Sequence, residues 1–384
     1  MKTVALGDLV DAVSSWNPSR KPDNAFTYID LSAVDSASKA VKGPVAVLGA
    51  EAPSRARQIV ATRDVLVSTV RPNLNAVAVV PAALDGATAS TGFTVLRPGR
   101  HLDGRYLFHW VRCPSFIGDM VRKATGASYP AVSDRIVKES LIPLPPLPEQ
   151  RRIAAILDHA DALRARRRQV LAHLDALTQS IFHDMFAADG YPSRPLEQVA
   201  DPDDRINYGV VQPGDETPDG VPLIRVSDMV RGRIDRTNLK RISPTIEASY
   251  QRSRIRGNEI LVSSVGSIGA VSVVGPADVG SNIARAITRV PVSDEVLRTY
   301  VAAYLRTSTP QHYFIAELRT VAQPTLNVGQ LAATLIPLPP VSLQAEFRRR
   351  LQRVEELIHT VRTYILADDE LFASLQSRAF DGRL

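Results

Sequence analysis

The sequence predicts a duplicated α+β fold with α/β-like heads: two globular domains joined by two long helices that form an antiparallel coiled coil with pseudo-two-fold symmetry. The first observation behind this prediction is a proline-rich phrase that occurs twice, as LIPLPPLPEQ from Leu141 and LIPLPPVSLQ from Leu335. The second is that other segments repeat at nearly the same spacing. The third is that neither glycine nor proline interrupts the segments that follow, 149–189 and 343–381.

The repeat extends along most of the chain and defines its organisation. The matching segments are LGDLV (from Leu6) with LEQVA (from Leu196), YIDLSAVD (from Tyr28) with LIRVSDM (from Leu223), and DVLVSTV (from Asp64) with EILVSSV (from Glu259). Together with the proline phrases they indicate a duplicated unit. A chain of 384 residues can bury more than one core. We expect globular domains over 1–141 and 189–335, and proline connectors with a helix over 142–188 and 336–384.

Each globular domain is predicted to mix short strands with a few helices. Runs of β-branched residues bounded by turn residues, such as 65–70 and 260–265, are typical of strands. The stretches 106–111 and 296–305 favour helices. The GSIG segment at 266–269 lacks the third glycine and the following helix of a dinucleotide-binding loop, so we interpret it as a turn.

Each long helix carries a narrow apolar stripe. Apolar residues recur at alternating spacings of three and four, with Arg167 and Asp368 as polar interruptions. The predicted seam positions are Ile153, Ile156, Leu163, Val170, Leu174, Leu177 and Ile181 in the first helix and Leu351, Val354, Ile358, Val361, Ile365, Phe372 and Leu375 in the second. Such a stripe is typical of a coiled coil and needs a partner. We expect the other copy as partner, antiparallel because duplicated units tend to associate about a two-fold axis.

The proline phrase is interpreted as a strand followed by a stiff connector. Proline cannot join the interior of a helix and holds the residue before it extended, so the helix cannot begin early. Pro148 in the first copy suits the first turn of a helix, and Ser342 in the second copy is a candidate N-cap.

The motif search predicts a non-catalytic protein without metal or cofactor. No Gly-Lys dipeptide exists for a P-loop, no lysine follows Asp or Glu by two residues as in restriction-type nucleases, and both Pro-Pro pairs lack the surroundings of an amino-methyltransferase motif. No histidine pair has the HExxH spacing of a zinc site. The single cysteine, Cys113, excludes disulfides and cysteine-based zinc sites.

The charge balance makes a polyanion a sensible partner. The formal net charge is +6, and 39 of the 46 basic residues are arginine. The planar fork of arginine suits phosphate and the guanine edge. No run of 18 apolar residues occurs, and Asp8 and Asp11 interrupt the N-terminal apolar stretch, so we expect a cytoplasmic protein without membrane contact.

The chain resembles the specificity subunits of type I restriction-modification enzymes. The marks that carry the resemblance are IPLPPLPEQ before the first helix, the continuation EQRRIAAILD, and the AFDGRL ending with Phe380, Gly382 and Leu384. The second helix departs from the pattern, since Ser342 and Leu343 stand where Pro-Glu would be. This asymmetry predicts that the two halves differ in their partner contacts.

The resemblance implies different roles for the globular domains and for the long helices. Each globular domain would be a target-recognition domain that reads one half of a bipartite site in double-stranded DNA. The helices would set the gap and dock two methyltransferase subunits, and through them endonuclease-translocase subunits. A helix of about 38 residues spans about 57 Å, which limits the gap to about 17 base pairs.

Two alternative functions stay open. One is the DNA-recognition subunit of a related restriction or phage-defence system with different effectors. The other is a coiled-coil scaffold in which PLPPLP, at 143–148, is a polyproline ligand.

Candidate DNA contacts combine polar side chains with turn residues, because base edges are read from loops and strand ends. In the first domain they are Arg71, Asn73, Asn75, Arg122, Lys123, Ser128 and Tyr129. In the second they are, by repeat position, Ser267, Arg319, Thr320 and Gln323, with Arg225, Arg231 and Arg233 nearby. Different residues at equivalent positions predict that the two domains read different sequences.

Overall fold

The computed structural model describes residues 2–187, 190–318 and 324–384. The chain divides into two compact units, each built from one head and one half of each long helix. Unit 1 comprises residues 1–168 and 363–384, and unit 2 comprises residues 169–362.

Head 1, the part of unit 1 that precedes the first long helix, is a mixed α+β domain. Its strands are β1 (Thr3–Ala5), β2 (Val10–Asp11), β3 (Ala25–Ile29), β4 (Val34–Asp35), β5 (Ala40–Val41), β6 (Val45–Leu48), β7 (Ala56–Ile59), β8 (Val65–Ser68), β9 (Val77–Val79), β10 (Thr88–Ser90), β11 (Phe93–Pro98) and β12 (Leu141–Pro143). Its helices are α1 (Gly104–Trp110), α2 (Pro114–Lys123) and α3 (Asp134–Lys138), followed by the long helix α4 (Leu147–Phe186). Two four-stranded sheets have the orders β6-β3-β10-β7 and β2-β11-β8-β9.

Head 2 repeats this arrangement. Its strands are β13 (Ser193–Pro195), β14 (Asn207–Tyr208), β15 (Val221–Ile224), β16 (Met229–Val230), β17 (Arg233–Ile234), β18 (Lys240–Ile242), β19 (Glu259–Ser263), β20 (Val271–Val273), β21 (Asn282–Ile283), β22 (Ile287–Pro291) and β23 (Leu335–Pro337). Its helices are α5 (Leu196–Val199), α6 (Pro244–Ala248), α7 (Glu295–Tyr304), α8 (Ser308–Ala316) and α9 (Val328–Ala332), followed by the long helix α10 (Val341–Phe380). The sheets have the orders β14-β22-β19-β20 and β18-β15-β21.

The strand pairing of the two heads follows the sequence repeat. The antiparallel order β11-β8-β9 in head 1 corresponds to β22-β19-β20 in head 2, and the parallel pair β3-β10 corresponds to β15-β21. The ribbon β1-β12, which contains the first LIP segment, corresponds to β13-β23, which contains the second. The predicted duplicated fold is confirmed in these shared elements.

Within each unit, the head packs on the C-terminal end of the helix that belongs to the other copy. In unit 1, the Tyr106 ring of α1 lies 5.2 Å from the Phe380 ring of α10. In unit 2, the Tyr300 ring of α7 lies 4.9 Å from the Phe186 ring of α4. Both tyrosines are at most 1% exposed. Because each head contacts the far end of the partner helix, the helix halves in each unit run antiparallel, as predicted.

The two polar interruptions of the apolar stripes pair with each other. In unit 1, Arg167 Nε lies 2.8 Å from Asp368 Oδ2, and the Arg167 guanidinium lies 4.7 Å from the centre of the Tyr364 ring. Beside this pair, Arg164 and Arg168 both bind Asp369. These ion pairs fix which residues of the two helices face each other.

The seam on the first helix is displaced from the predicted positions. Leu163, Val170 and Leu177 are 38%, 45% and 40% exposed. The helix instead buries Ala154 and Leu157 beside the predicted Ile153, and its partly buried line continues through Arg164 and Leu171. Head 1 and the ion pairs with Asp368 and Asp369 also constrain this helix. The apolar stripe alone therefore does not set its orientation.

The second helix buries more of its predicted seam. Leu351, Val354, Ile358 and Phe372 are at most 9% exposed, while Val361, Ile365 and Leu375 are partly buried. In the first helix, Ile156, Leu174 and Ile181 are likewise partly buried.

A glutamine at the same place in each copy holds the proline connector against its helix. Gln150 Nε2 donates to the Pro145 carbonyl at 2.9 Å, and Gln344 Nε2 donates to the Pro339 carbonyl at 2.8 Å. The second helix begins at Val341, so Ser342 lies in the first turn and is not the N-cap that was predicted. The last proline of the phrase, Pro340, occupies the position before the helix and leaves no donor unsatisfied there.

Candidate nucleic-acid interface

Two loops of head 1 meet and bring predicted DNA-contacting residues together. The loop between β8 and β9 begins at Arg71, whose backbone N–H donates to the Pro130 carbonyl at 2.7 Å. The loop between α2 and α3 is closed by reciprocal backbone hydrogen bonds between Thr125 and Ala131, both 2.9 Å. The Arg71 guanidinium lies 4.6 Å from the centre of the Tyr129 ring, and Tyr129 is 68% exposed.

The first of these loops has an unusual backbone. Arg71 and Asn75 flank the turn Pro72–Leu74, and both adopt the left-handed conformation with φ of 50° and 47°. Residues other than glycine rarely adopt this conformation, which costs about 1 kcal/mol or more. Asn73 and Leu74, between them, are exposed to solvent.

Asn75 supports the loop from inside the head. It is 9% exposed, and its side-chain amide donates to the Val111 carbonyl at 2.9 Å. Lys39 Nζ donates to both the carbonyl and the side-chain oxygen of Asn75. The side chain of Asn75 is therefore occupied within head 1, and we leave it out of the proposed DNA contacts.

Lys39 is a supporting residue that the sequence analysis missed. Burial, followed by the nearby Arg112 guanidinium, lowers the pKa of Lys39 to about 8. Lys39 also has a positive φ of 55°. The sequence contains only a weak indication of this supporting role: lysine is rare in the chain, and no other pattern distinguishes Lys39.

The remaining predicted residues of head 1 lie beside these loops. Arg122 and Lys123 end α2, are exposed, and both form ion pairs with Asp119. Burial opposes the charge of Asp119, but hydrogen bonds from Lys123 and Arg122 lower its pKa overall. Ser128 is exposed next to Tyr129. Together with Arg71 and Asn73 they form an exposed polar surface, which we name the head 1 loop surface.

The corresponding turn in head 2 has different chemistry. The GSIG segment joins β19 to β20 as the predicted turn, with Gly266 and Gly269 at φ of 79° and 83°. Ser267 is exposed in this turn. Gln311 Nε2 donates to the Gly269 carbonyl at 2.9 Å, which supports the turn from beneath as Asn75 does in head 1. The predicted contacts Arg319, Thr320 and Gln323 lie outside the described residues.

The three further arginines predicted in head 2 form ion pairs within unit 2. Arg225 binds Asp228, and the hydrogen bond that it donates to that carboxylate raises the pKa of Arg225. Arg231 lies 3.1 Å from Asp175 of α4, and Arg233 lies 3.7 Å from Glu355 of α10. Arg231 and Arg233 therefore attach the β16-β17 hairpin to the long helices.

In the part of the chain that the structure describes, no group of three His, Cys, Asp or Glu side chains is placed to hold a metal ion. Among the same residues, no helix has the length and apolar character needed to span a membrane.

Comparison with known sequences gives one consistent relationship. The model of the type I restriction modification DNA specificity domain matches residues 59–173, which include the head 1 loop surface and the start of α4. The type I restriction enzyme EcoBI specificity subunit of Escherichia coli is 28% identical over 313 residues, which are 73% of this chain and 65% of that protein. The chain thus spans slightly less than two thirds of that relative's length.

Comparison with solved structures extends the relationship to the whole chain. A chain from a study of complex assembly and conformational transition of the type I R-M system is 27% identical, with a TM-score of 0.61 and coverage of 100% of this chain and 98% of that one. The S subunit of a type I restriction-modification system from M. genitalium has the same fold at 12% identity, with a TM-score of 0.53 and coverage of 99% and 96%. The chain thus carries a type I restriction modification DNA specificity domain and is similar, along its whole length, to proteins of type I restriction-modification systems.

Proposed function

We propose that this chain is the non-catalytic, sequence-specific DNA-binding subunit of a cytoplasmic type I restriction-modification complex. Each head reads one half of a bipartite site in double-stranded DNA. The observation that carries the proposal is the presence, in one chain, of two equivalent heads, each with an exposed turn after its central strand, β8 or β19. Two copies of one recognition domain suit the reading of a bipartite site, while the chemistry belongs to partner subunits.

The two heads read different half-sites. Arg71 and Asn73 in the head 1 turn correspond, at the 195-residue spacing of strands β8 and β19, to Gly266 and Ile268 in head 2. An arginine and an amide can form two hydrogen bonds to guanine or adenine, which glycine and isoleucine, without polar side-chain atoms, cannot do. The recognised sequence is therefore asymmetric.

The long helices set the spacing between the two half-sites and dock two methyltransferase subunits, through which endonuclease-translocase subunits join the complex. In unit 1, Leu163 and Leu371 are 38% and 55% exposed, and in unit 2, Leu177 and Leu357 are 40% and 53% exposed. Apolar side chains exposed along a charged helix pair are typical of a protein interaction surface. Two related surfaces suit two copies of one partner.

The proposal is tested by mapping methylated bases in the genome of the host by long-read sequencing, with and without this gene. We expect one bipartite, asymmetric methylated motif to disappear completely when the gene is deleted and to return on complementation. The control is a deletion of a gene outside the restriction system. An unchanged set of methylated motifs, in cells where the methyltransferase subunit is present and active, would refute the proposal.

A further inference from the structure

Most of the basic residues expected to contact DNA already form an ion pair with a carboxylate of this chain. The described pairs are Arg122 and Lys123 with Asp119, Arg225 with Asp228, Arg231 with Asp175, and Arg233 with Glu355. Among the described residues, Arg71 is the one member of this predicted basic set that has no carboxylate within ion-pair distance. Its guanidinium can bind a new acceptor without first breaking an ion pair.

The backbone holds Arg71 in one place. Its N–H donates to the Pro130 carbonyl, and its own carbonyl accepts the N–H of Leu74 at 2.9 Å. Both backbone hydrogen bonds are made while φ is 50°. Strain of this kind persists only where the surrounding structure enforces it, and it occurs often at binding sites.

The side chain of Arg71 is also in contact with an aromatic ring. Its guanidinium lies on the face of the Tyr129 ring, 4.6 Å from the ring centre. A guanidinium that stacks by its face keeps the N–H groups at its edge free for two parallel hydrogen bonds. Tyr129 is largely exposed, so the stacked pair lies at the surface. Asn75 differs in this respect, because its side-chain polar atoms form hydrogen bonds inside head 1.

We infer that Arg71 reads a guanine in the half-site of head 1 and that Tyr129 is the residue that positions it. The O6 and N7 atoms of guanine are two acceptors at the spacing of the arginine fork, and they are exposed in the major groove. The inference deepens the proposed function and rests on it. Head 2 has Gly266 at the equivalent place and reads no guanine in this way.

The test uses the full-length chain assembled with its methyltransferase subunits and a pool of duplex DNA with randomised sequence. Bound duplexes are sequenced for the wild type, Arg71→Ala and Arg71→Lys. The wild type is expected to select a guanine at one position of one half-site. Arg71→Ala is expected to lose that preference about 5- to 150-fold. Arg71→Lys is expected to lose less of it, because lysine keeps the charge and can donate to guanine but lacks the fork. The other half-site is expected to stay unchanged.

Two further variants separate a positioning role from a general loss of structure. Tyr129→Phe keeps the ring face and is expected to keep the guanine preference, whereas Tyr129→Ala is expected to weaken it. The matched control is Arg135→Ala in the same head, since Arg135 is exposed and pairs only with the neighbouring Glu139 among the described residues. All variants are compared by circular dichroism and thermal unfolding.

Three results would overturn the inference. Uniformly weaker binding to all sequences, with a salt dependence reduced by about one phosphate contact, would assign Arg71 to the DNA backbone. Unaltered selection by Arg71→Ala would remove any role in reading. If the wild type itself selected no bipartite sequence, the proposed function would fail, and this inference with it.

Discussion

Replacing Arg289 with methionine is expected to destabilise unit 2 by about 3–5 kcal/mol, because it leaves a buried carboxylate without its partner. Arg289 and Glu259 are both 0% exposed, and Arg289 Nε donates to Glu259 Oε1 at 3.0 Å. The guanidinium also binds Asp204 and the Arg252 carbonyl. Burial alone would lower the pKa of Arg289, but hydrogen bonds to Asp204 and Glu259 raise it overall.

Calorimetry and denaturant unfolding of the full chain can measure this effect, with the transition of unit 2 followed separately because two units need not unfold together. Arg350→Ala is the matched control: it breaks an exposed ion pair with Glu346 in the same unit and is expected to cost about 0.5 kcal/mol or less. Adding Glu259→Gln to Arg289→Met should recover part of the loss. A loss below about 1 kcal/mol for Arg289→Met alone would contradict the assignment.

Lengthening both long helices by four residues is expected to widen the gap between the two half-sites by about two base pairs and to leave the half-site sequences unchanged. Four residues add about 6 Å and slightly more than one turn, so each helix keeps nearly the same faces toward its partners. We place the insertions after Arg168 and after Arg362, where the chain passes from one compact unit to the other. The Arg164–Asp369 and Arg167–Asp368 pairs then stay within unit 1.

The measurement is the methylated motif in cells that carry each variant. An insertion after Arg168 alone lengthens the first long helix but not the second. The residues of the two helices that pack against each other are then out of register, and we expect methylation to be abolished. Arg166→Ala changes no length and serves as the control for the gap. Altered half-site sequences, or an unchanged gap in the double insertion, would show that the helices do not set the spacing.

Local patterns in the sequence were sufficient for the segments whose structure depends on near neighbours. The proline phrases became β12 and β23 followed by long helices, and the GSIG segment became a turn, because proline and glycine restrict the backbone by themselves. The helix starts were less accurate. Ser342 was expected as an N-cap, but the helix begins one residue earlier, after Pro340.

The candidate site was predicted only as a set of loops. Sequence position placed Arg71, Asn73 and Asn75 together, yet it could not separate an exposed reader from a buried support. Asn75 is held by Val111 and Lys39, which are 36 residues away on either side. Contacts over such distances depend on packing, and no local pattern in the sequence reports them.

The sequence by itself determined the duplication, the alternation of heads and helices, and the absence of recognisable catalytic motifs, because repeats and periodicity are properties of the chain alone. The tertiary structure decided which residues are free to act. It paired Arg167 with Asp368 and left Leu163, Val170 and Leu177 exposed. Among the described residues, it gave most of the predicted basic readers a carboxylate and left Arg71 without one. Ion pairing and helix orientation depend on side chains brought together from distant positions, so they arise only when the fold is complete.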